Sequence, residues 1–110
     1  MGSGSEANEA GLKISRQYYV EKGETSRKHF MARRQAYHGN TLGAVAISSN
    51  VPRRAPFADI VTPNVSFVSP ANEYRYKRDG ETEEEYSQRL VDEVEDEFLR
   101  VGPEKIISFM

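Results

Sequence analysis

Cysteine is absent from the 110 residues, so neither a disulfide framework nor thiolate chemistry is open to this chain, and a reducing compartment is compatible with it. Long apolar runs are absent as well. No stretch reaches the roughly eighteen consecutive apolar residues of a membrane-spanning helix, so no membrane partner is expected. The opening Met1-Gly2-Ser3-Gly4-Ser5-Glu6 lacks the basic and apolar regions of a secretory signal, which leaves a cytoplasmic location as the default expectation. A basic excess is missing too: the formal net charge of −2 argues against general affinity for nucleic acid. No histidine lies among the acids of residues 83–97, so no metal site is expected there. No internal repeat is evident. The length allows one domain at most, or a piece of a larger one.

What is present is an alternation of helix and strand patterns, which predicts an α/β fold with a mostly parallel sheet. A helix is expected over about 5–22, with Ser3 and Glu6 as a capping box, an apolar face of Ala7, Ala10, Gly11, Ile14 and Tyr18, and Gly23 as its stop. His29-Phe30-Met31-Ala32-Arg33 reads as a short strand, and Leu42, Val45, Ala46 and Ser49 as one face of a short helix. Residues 50–81 are rich in Pro, Asn, Ser and Arg and read as a long loop, interrupted only by Ile60-Val61 and Val65-Ser66-Phe67-Val68; Arg53-Arg54 within it reads as a solvated basic pair. From Thr82 to Val101 the pattern is a clear amphipathic helix: Thr82 and Glu85 cap it, Tyr86, Leu90, Val94, Phe98 and Val101 form its apolar stripe, and Gly102-Pro103 ends it. Residues 105–110 read as the start of a buried strand, with the apolar run barely begun, as in an excerpt of a longer domain.

Two stretches carry chemical interest. Gln35-Ala36-Tyr37-His38-Gly39-Asn40-Thr41 sits between a strand and a helix, the kind of corner at which open α/β sheets hold ligands. Tyr37 offers a flat face, His38 a polar edge, and Gly39 a sharp turn or close approach; the plainer reading is a core tyrosine beside an N-cap supplied by Asn40 or Thr41. Gly2-Ser3-Gly4-Ser5 opens a helix, and free first-turn amides with a serine hydroxyl suit a phosphate; the plainer reading is a flexible Gly/Ser leader.

Taken together, these stretches carry a resemblance. Gly2-Ser3-Gly4-Ser5-Glu6-Ala7-Asn8-Glu9-Ala10, continuing through Lys13, Arg16 and Tyr18-Tyr19, resembles the phosphate-binding helix of class III aminotransferases, which are pyridoxal-phosphate enzymes of fold type I. Arg34-Gln35-Ala36-Tyr37-His38-Gly39-Asn40-Thr41-Leu42-Gly43-Ala44 is similar to the same family's ring-stacking segment, and Arg53-Arg54-Ala55-Pro56-Phe57 and the helix ending in Gly102-Pro103 also resemble members of it. The resemblance implies that Gly4 and Ser5 hold the phosphate of pyridoxal 5'-phosphate, with Ser3 a further candidate. It implies that Tyr37 stacks on the pyridine ring, that His38 packs or hydrogen-bonds behind it, and that Gly39 forms the tight corner. It also implies a three-layer αβα large domain, incomplete in this chain.

The same family requires a Schiff-base lysine and an aspartate on the pyridine nitrogen. None of Lys13, Lys22, Lys28, Lys77 and Lys105, nor of Asp59, Asp79, Asp92 and Asp96, matches those contexts, so no catalytic residue is assigned and the chain by itself is not expected to transaminate. The function implied for the full-length protein is transfer of an amino group from an amino donor to an oxo acid or aldehyde, in a homodimer. Two alternatives stay open: another fold type I enzyme, such as a racemase or decarboxylase, and a noncatalytic module that docks a partner through the helix at 82–101.

Overall fold

The computed structural model describes residues 1–110. A three-stranded parallel sheet runs in the order β2-β1-β3. Along the chain, α1 (Gly4–Glu21) leads to the central strand β1 (His29–Arg33), then α2 (Leu42–Ala46) and α3 (Val51–Arg54). A 3₁₀ turn over Ala55–Phe57, β2 (Val65–Val68), α4 (Glu73–Tyr76), α5 (Glu83–Val101) and β3 (Ile106–Phe109) follow. Phe30 pairs with Val65 and Arg33 with Val68, and a bulge at His29/Phe30 adjusts β1 against β3.

Alternation along the strands splits the core in two. Phe30, Ala32 and Ile107 turn to one face, where Ile47 and the partly buried Leu12 and Tyr19 of α1 cover them. Met31, Val68 and Ile106 turn to the other, beneath Val94, Phe98 and Val101 of α5. Helices thus cover both faces, as an all-parallel sheet requires, giving three layers with β1 in the middle. The α5 stripe packs on the chain's own sheet, with Tyr86 and Leu90 buried and Val94, Phe98 and Val101 half-buried against it. No helix is long and apolar enough to cross a membrane.

Two expectations from the sequence are corrected. Residues 50–81 are not one loop: they hold α3, the 3₁₀ turn, β2 and α4. A four-residue apolar run between Pro63 and Pro70 is too short for periodicity to identify as a strand, and pairing with β1 decides it. The inward face of α1 also differs. Ile14 and Tyr18 are 68% and 56% exposed, and it is Ser5, Asn8, Glu9, Leu12 and Tyr19 that face the rest of the chain. The amino-terminal half of α1 is held by polar contacts, so a search for apolar periodicity selects the wrong side. In α2, likewise, Leu42 is exposed while Ala44, Val45 and Ala46 are buried.

Candidate functional site

The chain leaving β1 makes an abrupt corner. Gln35 adopts a left-handed conformation (φ 64°), a sparsely populated region for a residue with a side chain and one that clusters at functional sites. The corner is then tied down from behind: Ser49 N donates to Ala36 O at 3.1 Å, and His38 N donates to the buried Ser48 Oγ at 2.9 Å. Ser48 in turn donates to Ala44 O at 2.7 Å. Gly39 is buried with φ 135°, and a Cβ there would stand 2.8 Å from Ser5 Cα. Only glycine meets both the backbone conformation and the approach.

Opposite that corner lies the first turn of α1. Ser3 is its N-cap, accepting from Glu6 N at 3.2 Å, and the Glu6 carboxylate accepts from Gly2 N at 2.5 Å. The N–H groups of Gly4 and Ser5 have no partner in the chain, as expected of a helix's first amides. Gly4 is exposed, and a Cβ there would meet nothing within 4 Å.

Three residues of α1, spaced as i, i+3 and i+4, fasten it to the corner. Ser5 Oγ accepts from Asn40 N at 3.0 Å and donates to Asn40 Oδ1 at 3.1 Å. Asn8 Nδ2 donates to His38 O at 2.5 Å. Glu9 Oε2 accepts from Thr41 Oγ1 at 2.7 Å and from Ala44 N at 3.2 Å. The helix start carrying Ser3, Gly4 and Ser5 and the corner carrying Tyr37 and His38 are therefore joined by direct contacts across more than thirty residues of sequence.

Tyr37 projects from the corner with 54% of its surface exposed, and the Arg53 guanidinium lies 4.9 Å from its ring centroid, so one face of the ring carries a cation. Burial lowers the pKa of His38 below its ordinary value, keeping the imidazole neutral near pH 7, and its Nε2 is buried with no hydrogen-bond partner in the chain. The only other histidine, His29, lies on the α5 face, where its Nε2 meets Ser66 Oγ at 2.8 Å; it belongs to the packing of β1 and β2. No group of three or more His, Cys, Asp or Glu side chains is arranged to hold a metal ion.

The residues fit a phosphorylated ring. Open amides at the positive end of an 18-residue helix suit the phosphate, and a half-exposed aromatic face on the adjoining corner suits the ring. Sequence reasoning missed Asn8, Glu9, Asn40, Gly43 and Ser48 as the parts that hold the two together. The polar spacing Ser5/Asn8/Glu9 on one helix face was the available signal. Of the basic pair read as solvated, Arg53 is exposed as expected but lies over the Tyr37 ring, which the sequence did not show, and Arg54 is half-buried with its guanidinium 5.3 Å from the Phe67 ring centroid.

The chain matches the family "Aminotransferase class-III" over residues 1–108. It is 52% identical over 108 residues to an uncharacterized aminotransferase of Schizosaccharomyces pombe, covering 98% of this chain and 24% of that protein. It is 39% identical over 108 residues to the mitochondrial gamma aminobutyrate transaminase 1 of Solanum lycopersicum, covering 98% of this chain and 21% of that one. Among solved structures, the omega transaminase from Pseudomonas jessenii in complex with PMP superposes with a TM-score of 0.93 at 32% identity, covering 99% of this chain and 24% of that one. The chain thus spans about a quarter of the length of the relatives it matches. It belongs to the class III aminotransferases.

Proposed function

We propose that the full-length protein is a pyridoxal-phosphate-dependent transaminase, moving an amino group from an amino donor to an oxo acid or aldehyde as a homodimer. On this reading the chain is part of the cofactor-binding large domain and supplies the phosphate cup and the ring-stacking corner. The observation that carries the reading is the pair of hydrogen bonds between Ser5 Oγ and Asn40, which joins the open first turn of α1 to the corner bearing Tyr37.

Each residue's part follows from its hydrogen-bonding state. The Gly4 and Ser5 N–H groups, unpartnered in the chain, donate to the phosphate. The Ser5 hydroxyl does not, because its single proton is given to Asn40 Oδ1. Ser3 Oγ only accepts, from Glu6 N, and so keeps its own proton to donate. Tyr37 receives the pyridine ring on the face opposite Arg53 and fixes its plane. His38 holds the corner from behind through its main-chain N–H and C=O, and we assign it packing and hydrogen bonding, not proton transfer. When bound, the cofactor supplies a pyridinium electron sink that stabilises a carbanion. The lysine and aspartate that such chemistry needs are not among this chain's residues at the corner; they come from elsewhere in the full-length protein.

The test is purification of the full-length protein with pyridoxal phosphate, followed by assay of amines and ω-amino acids against pyruvate. Stoichiometric cofactor and oxo-acid-dependent amino transfer are expected. Cofactor binding accompanied only by racemisation or decarboxylation would redirect the reading to another fold type I chemistry. A protein that takes up no pyridoxal phosphate would overturn it.

A further inference from the structure

The corner is bolted to α1 on both sides of Gly39. Ser5 and Asn8 hold His38 and Asn40, whereas Glu9 reaches past them to the start of α2. That helix start is unusual. Its N-cap is Thr41, yet the Thr41 side chain makes no cap bond to its own helix. The third amide of α2, Ala44 N, which an N-cap hydroxyl would ordinarily satisfy, donates to Glu9 Oε2 instead, and the Thr41 hydroxyl donates to that same oxygen. The carboxylate of one helix thus does the capping for the next, 35 positions along the sequence from Glu9 to Ala44. Space for it is kept by Gly43, where a Cβ would stand 2.4 to 2.7 Å from the atoms of the Glu9 carboxylate.

We propose that Glu9 and Gly43 form a latch that sets the distance between the phosphate cup and the stacking ring, making Glu9 a positioning residue for the cofactor. Its carboxylate bonds to Thr41 and Ala44, not to Ser3, Gly4, Ser5 or Tyr37, and so acts through α2. The inference rests on the transaminase reading above and adds a residue pair to it. Without Glu9, Ala44 N loses its partner, and the hydrogen bonds left between α1 and the corner are those of Ser5 and Asn8. The ring can then tilt relative to the cup while both stay folded.

The test is a mutant cycle in the full-length protein: Glu9→Ala, Glu9→Gln, Gly43→Ala and the double variant Glu9→Ala/Gly43→Ala. Pyridoxal phosphate affinity, visible circular dichroism of the bound cofactor and the melting temperature of the cofactor-free protein are measured for each. Glu9→Ala is expected to weaken pyridoxal phosphate binding about tenfold and to change the dichroic signal, which reports ring tilt. Glu9→Gln, whose amide oxygen can accept both hydrogen bonds, should restore most of each. Gly43→Ala should resemble Glu9→Ala, because the added methyl evicts the carboxylate. The double variant should be no worse than Glu9→Ala alone. Additive losses in the cycle, or a Glu9→Ala protein with unchanged affinity and dichroism, would overturn the latch. A wild-type protein that binds no pyridoxal phosphate while the melting cycle is subadditive would sink the transaminase reading, and the positioning role with it, leaving only a structural contact. The two failures are therefore told apart by the wild-type protein and the cofactor-free melting data.

Discussion

Two helices of similar length lie on opposite faces of the sheet, 18 residues in α1 and 19 in α5, and both begin with the same device. Ser3 Oγ accepts from Glu6 N at 3.2 Å, and Thr82 Oγ1 from Glu85 N at 3.1 Å. Beyond the cap they part. The first turn of α5 holds Glu83, Glu84 and Glu85, whose charges neutralise the positive helix end, and the helix is anchored by the buried Tyr86 and Leu90. The first turn of α1 holds glycine and serine with Glu6 as its one acid, and no residue of α1 is fully buried. What anchors its amino-terminal half is hydrogen bonding to the corner after β1. A capping sequence therefore marks a helix start without saying whether that end can receive an anion. The charge of the first turn and what it packs against decide that.

The comparison can be broken most forcibly at α5. Leu90→Ala should cost about 3 kcal/mol of stability, read by denaturant unfolding of the full-length protein, without changing the cofactor affinity of the protein that remains folded. A selective loss of cofactor affinity there would mean that the two faces do not divide as described. Next comes Gly39→Ala, which combines an unfavourable φ with contact against the Ser5 backbone. A loss of about 2 kcal/mol is expected, and here cofactor affinity should fall as well. Gly4→Glu sharpens the contrast, since it makes the first turn of α1 resemble that of α5 at a position with free space. Pyridoxal phosphate binding should weaken about tenfold or more, while melting is unchanged or slightly improved by the added charge at the helix start. An equal drop in both would show that Gly4 serves the fold and not the phosphate. The smallest effect is expected from Arg53→Ala, where losing an exposed cation over the Tyr37 ring removes about 0.5–1 kcal/mol and loosens pyridoxal phosphate by a factor of about two to five, measured by fluorescence titration.

The same contrast explains how much could be seen in the sequence. In α5 the cap, the stripe from Tyr86 to Val101 and the Gly102 stop all point one way, and the helix forms as read, Glu83–Val101, with its stripe on the sheet. In α1 the helix was legible from its cap and composition, but its orientation was not, because the residues turned inward at its start are serine, asparagine and glutamate. Polar contacts of that sort depend on a partner 30 to 35 residues away, which apolar periodicity does not reveal. β2 was obscured for a related reason: four residues between prolines gain strand identity from pairing with β1. The corner at 35–41 stood out through its glycine and aromatic. Its connection to Gly4 and Ser5 came only from family likeness; the polar spacing of Ser5, Asn8 and Glu9 marks a face of α1 but does not name its partners, Asn40 and the start of α2.

At Gly39 the main chain of the corner lies against the main chain of Ser5, where a Cβ would stand 2.8 Å from Ser5 Cα. No rotamer can lengthen or shorten such a contact, so it acts as a fixed gauge. The separation of the Gly39 and Ser5 main chains at that point stays the same until the glycine itself is replaced, whereas side chains such as Arg53 lean on the Tyr37 ring from outside.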